Sequence, residues 1–155
     1  MSSYDALASR IQTELHDLDA TVRRALDLGN KAKTIGDDGY WDGVALNLHG
    51  FYTGIEHVFE DIARTVDESV PSGSNWHIDL LNQMAGEIKG VRPPVILHST
   101  RIELDDFRGL RHIVRNVYAF NLRSGRLDQL IKRLPDCFKA TQDDLLKFVQ
   151  FLESV

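Results

Sequence analysis

Sulfur is scarce in this chain: of 155 residues, one is a cysteine, Cys137. A single thiol excludes an internal disulfide and a cysteine-based zinc cluster. Its setting, "LPDCFKA", offers no histidine to activate it, so Cys137 reads as a half-buried structural thiol. Long apolar runs are also missing. Nothing approaches the roughly 18 consecutive residues that cross a bilayer, and "MSSYDALASRIQTELHDL" lacks the apolar centre of a signal peptide. The expectation is a cytoplasmic protein with no membrane association. Alternating strand patterns, Asn-Gly hairpin signals, repeats and low-complexity tracts are absent as well, which argues against a β architecture. Positive charge is in deficit overall, with 18 Lys and Arg against 23 Asp and Glu and a formal net charge of −5. That balance argues against coating of nucleic acid by a basic domain, so any anionic partner must be met locally.

One local absence points the other way. Between Arg108 and Arg126 there is no acidic residue, and "FRGLRHIVRNVYAF" concentrates Arg108, Arg111, His112 and Arg115 in eight positions. Like charges three or four apart weaken a helix, and a solvated face usually mixes signs. The segment therefore needs an outside partner, or else acids from other helices, for which Asp105, Asp106 and Asp128 are the candidates.

What is present is helical periodicity. Leu7, Ile11, Leu15, Leu18, Val22, Ala25 and Leu26 recur at three- and four-residue steps, predicting a helix from about Tyr4 to a stop at Gly29 and Asn30. The turn cluster "TIGDDGYWDG" follows, then a second long helix from Val44 to about Val70. "NWHIDLLNQMAGEIKG" predicts a third, capped by Ser74 or Asn75. "VRPPVILHST" cannot be helical across Pro93 and Pro94 and is expected to be an extended crossover. A fourth helix restarts near Ser99 or Thr100, with Glu103 placed for a capping box. The remainder is helical on both sides of Pro135, which is expected to bend or break it. The fold expected is all-α, an antiparallel bundle of about five helices. With 43% hydrophobic residues, 155 positions suffice for one domain over residues 1–155.

On the fourth helix Arg111, Arg115 and Tyr118 fall at i, i+4 and i+7, on nearly one stripe, with His112 and Asn116 as an adjacent i, i+4 pair. Guanidinium groups grip phosphate through a planar fork, imidazole exchanges protons near neutral pH, and an aromatic ring stacks on a base. These are the parts of a phosphodiester-cleaving or nucleotide-binding site. Other candidates are weaker. His49, His57 and His77 read as surface or core-edge residues, Glu56, His57 and Glu60 lack the spacing of a zinc helix, "DDGYWDG" lacks that of a calcium loop, and Trp76 reads as a packing anchor. No metal site and no cofactor is expected.

Arg111, four intervening residues, then Asn116, Val117 and Tyr118 resemble the R-x4-H-x-Y signature of the HepT-like ribonucleases of the HEPN superfamily. "HGFYTGIEHVFEDIA", "NWHIDLLNQM" and "VRPPVI" are also similar to segments of that group, so the resemblance covers roughly residues 45 to 130. It implies a HEPN-like bundle acting as the toxin of a type VII-like toxin–antitoxin module, a metal-independent RNA endonuclease and obligate homodimer. A minimal nucleotidyltransferase antitoxin would neutralise it by attaching AMP to Tyr118. In this scheme Arg111 steadies charge on the phosphate, Arg108, Arg115 and Tyr118 contact RNA or nucleotide, and the motif His would activate the ribose 2′-hydroxyl. Here that position is Asn116, an amide that cannot accept the proton at neutral pH. His112 is the imidazole on the same helix that would stand in. The alternative is a catalytically degenerate HEPN module that binds a nucleotidyltransferase or a nucleotide without cleaving RNA.

Overall fold

A computed structural model describes residues 2–117 and 124–155, and of 111–117 the backbone alone. Five helices follow one another: α1 Asp5–Ile35, α2 Gly39–Ile62, α3 Trp76–Ala85, α4 His98–Val117 and α5 Ser124–Ser154. A π-helical turn, Ala63–Asp67, continues α2. Among the described residues there is no strand beyond one isolated bridge, Ile88 to Arg92.

Side-chain pairs fix the helix directions. Arg10 of α1 pairs with Asp61 of α2, and Ser2 reaches Leu152 while Gly29 meets Ile131, so α1 runs antiparallel to both α2 and α5. Thr100 to Asp144 and Asp106 to Arg133 make α4 antiparallel to α5. Four helices therefore form an up-down-up-down bundle, and α3 lies along α2 and α4 at its side. The core is continuous through all five. Phe51 of α2 meets Phe107 of α4 and Phe138 of α5 edge to face, at centroid distances of 5.6 and 6.1 Å.

Several boundaries differ from expectation for tertiary reasons. Gly29 does not stop α1, which runs on to Ile35 and ends at Gly36 in the left-handed conformation, φ 78°. Gly29 is buried against Ile131 of α5 instead, where a Cβ would lie 3.4 Å from Cγ2. Helix α2 starts inside the expected turn cluster, at Gly39, whose N–H donates to Asp37 Oδ1 at 2.9 Å. Pro135 does not break α5. It is exposed, while Leu134, Cys137 and Phe138 around it are buried and hold both sides of the missing hydrogen bond in place.

Helix α3 ends at Ala85 rather than Gly90, because the following segment wraps a buried arginine. Arg92 Nε and Nη2 donate to the two oxygens of Asp67 at 2.6 and 2.8 Å. Nη2 also donates to the Gln83 carbonyl at 3.2 Å, and Nη1 to those of Gly86 and Pro93 at 2.8 and 3.0 Å. All five guanidinium N–H groups are thus used, and neither side chain of the pair is exposed. Val95 and Ile96 then plug into the core, both donating to the Met84 carbonyl.

Helix α4 begins at His98 without the expected capping box, and Glu103 is exposed. Its acceptor comes from another helix: Asp144 Oδ2 of α5 takes the Leu97 N–H at 3.0 Å and the Thr100 hydroxyl at 2.6 Å. The expected crossover and the α4 start are both pinned from afar.

Candidate functional site

Helix α4 carries positions 111 to 117, and with them the backbone of Arg111, His112, Arg115 and Asn116. Their side chains, and all of Tyr118, lie outside the described residues. The helix is seated by Leu104, Phe107 and Leu110, each no more than 1% exposed. Arg108, next to Phe107, is about a third exposed and donates from Nε to Asp105 Oδ1, one turn back, at 2.7 Å.

The three acids suggested as partners for the cationic stretch each hold a described cation, although Asp105 and Asp106 lie on α4 itself and only Asp128 comes from another helix, α5. Asp105 takes Arg108, Asp106 takes Arg133 at 2.5 Å, and Asp128 takes Lys33 at 2.5 Å and Lys132 at 3.2 Å. The hydrogen bond from Lys33 outweighs desolvation and, with Lys132, holds the Asp128 carboxyl below the usual carboxylate range.

A polar cluster lies where α2, α3 and α4 meet. Glu56, on α2, is only 2% exposed, and its Oε2 is 2.5 Å from Nδ1 of His77 in the first turn of α3. The Trp76 ring lies against the imidazole, centroids 3.6 Å apart and planes tilted by 33°. One turn before Glu56, the Tyr52 hydroxyl is buried and has no hydrogen-bond partner among the described residues. Burial, then the nearby charge of Glu56, pushes its pKa upward, and Arg108 and Asp105 of α4 act on it as well. Phenol, carboxylate, imidazole and guanidinium therefore share one small region.

Sequence reasoning missed this cluster. His77 reads as a surface or core-edge residue, and Glu56, His57 and Glu60 form no metal-ligand group among the described residues. The available signal was position: Glu56 falls on the apolar stripe of Tyr52, Ile55 and Phe59, where a carboxylate demands a partner. Trp76 does pack against the core, as expected. Cys137 is buried rather than half-buried, and burial pushes its thiol up to about 12, which leaves it unreactive near neutral pH.

No helix among the described residues is long and apolar enough to cross a membrane. No curated protein and no solved structure matches the chain. A family model described as HepT-like protein matches residues 43–152, from the first turns of α2 to the end of α5. That span covers the polar cluster and the whole of α4, and the chain belongs to the HepT-like family.

Proposed function

We propose that this protein is the toxin of a toxin–antitoxin module, a metal-independent RNA endonuclease that works as a homodimer with residues 1–155 as one unit. The observation that carries this reading is the HepT-like match over residues 43–152 together with the acid-free cationic run it encloses on α4. Arg111 would meet the scissile phosphate, where a fixed guanidinium stabilises charge that grows in the transition state. Arg108, Arg115 and Tyr118 would contact the flanking nucleotides. Asn116 would orient the ribose or phosphate by hydrogen bonds, and His112, on the same helix, would take the 2′-hydroxyl proton. A nucleotidyltransferase partner would silence the site by adenylylating Tyr118.

Asn116 itself favours the second reading, a binding module of the same fold that has lost its chemistry, because an amide is no proton acceptor. One assay separates the two. Purified protein incubated with cellular RNA in EDTA is expected to cut it, and Arg111→Ala to lose at least about 100-fold in rate, the scale of one removed transition-state donor. Intact RNA in the wild-type reaction favours the binding module, and undiminished cleavage by Arg111→Ala removes the residue from the site.

A further inference from the structure

Arg10, Arg23, Arg92, Arg108 and Arg133 each pair with an aspartate at 2.9 Å or less. Arg101, in the first turn of α4, is held differently. Its Nη1 donates to the side-chain oxygen of Asn82 on α3 at 3.1 Å. An amide oxygen accepts that hydrogen bond without cancelling the charge. Asp105, four residues further along α4, is taken by Arg108 Nε at 2.7 Å. Arg101 therefore keeps its full positive charge on a partly exposed side chain that α3 has already oriented.

Spacing joins this residue to the cationic run. Arg101, Asp105 and Arg108 fall at i, i+4 and i+7, one stripe of α4, and positions 112 and 115 continue it at i+11 and i+14. The contact with Asn82 sets Arg101 on the flank of α4 that faces α3. Arg101 and Arg108 stand roughly 10.5 Å apart along the axis at 1.5 Å per residue, and the bond to Asp105 draws the Arg108 head one turn back toward Arg101. That arrangement suits neighbouring phosphates of one nucleic-acid strand. Asp105 neutralises Arg108 in the free protein, so an incoming phosphate has to compete for Arg108 but not for Arg101.

We infer that Arg101, oriented by Asn82, is a further phosphate-binding residue of the RNA site and lengthens it by about two turns of α4 beyond Arg108. This rests on the RNA reading above. Its ligand is the backbone of single-stranded RNA away from the scissile bond. The guanidinium fork meets phosphate oxygens, so the contact adds affinity without base preference. On a chain of net charge −5, an arginine whose charge no acid cancels is also what draws an anionic strand to this flank. Arg101 binds and does not cleave, because it touches no reacting atom.

The test is binding of a labelled single-stranded RNA oligonucleotide to the full chain, followed by fluorescence anisotropy across roughly 50 to 300 mM KCl. The 2′-hydroxyls of the probe are methylated, which blocks cleavage. Each phosphate contact on a single strand contributes about 0.7 to the slope of log affinity against log salt. Arg101→Gln keeps part of the stem and removes the charge. It should weaken binding about threefold or more and lower that slope by about 0.7, equally for oligonucleotides of different sequence. Arg64→Gln, made at an exposed position beside Arg10 on the α1–α2 side, should alter neither. An unchanged slope in Arg101→Gln overturns the inference, and so does an equal fall in Arg64→Gln, which would report net charge alone. Wild-type protein that leaves the probe unbound overturns the RNA reading itself, and this inference with it.

Discussion

A phenol that receives AMP changes from a neutral ring to a bulky anion, and at Tyr118 that anion would stand three residues from Arg115. Charge-assisted pairing between the new phosphate and a guanidinium would then occupy the groups that RNA needs. Co-expression with a neighbouring nucleotidyltransferase should add AMP increments to the intact mass, and Tyr118→Phe should remove them. Increments that persist in that variant would move the modification to another residue. The sequence singles out this stretch because its chemistry is concentrated in one run, although from Arg111 onward its side chains lie outside the described residues. Glu56 and His77 are not singled out as a pair, since 21 positions separate them and only the packing of α3 on α2 brings them together. Asp67 and Arg92 were hidden for the same reason, 25 positions apart.

At the scale of elements, that second pair decides how the α3–α4 connection is held. Removing one partner of a fully used buried ion pair leaves the other charge uncompensated, which costs about 3–5 kcal/mol. Asp67→Ala should therefore lower the urea midpoint by the equivalent of about 3–5 kcal/mol, and a loss below about 1 kcal/mol would be no more than an exposed pair gives. The helices themselves followed from three- and four-residue periodicity, because each buries one stripe. Their ends did not, because tertiary contacts set them: Gly29 serves packing on Ile131, Pro135 is carried by buried neighbours, and the first turn of α4 finds its acceptor on α5. Local capping rules cannot see a partner 47 residues away.

For the whole molecule, a net charge of −5 would repel RNA at a distance, and on the toxin reading one short cationic run would have to overcome that. Two copies related by a twofold axis would bring two such runs to one cleft and focus the field there. Sedimentation equilibrium should accordingly report a homodimer at micromolar concentration, and a stable monomer would count against the toxin reading. The all-helical bundle was readable from the sequence at this scale, whereas the way α3 flanks α2 and α4 came only with the structure. The link from Asp144 to Leu97 and Thr100 also bears on the order of events at the ribosome. The acceptor for the start of α4 is made 44 residues after Thr100. At typical elongation rates of roughly 5–20 residues per second, that is a delay of about 2–9 s. From the completion of α4 at Val117 until Asp144 is made, the newborn chain has its cationic helix but not the clamp that seats it, so α4 is completed by a residue of α5.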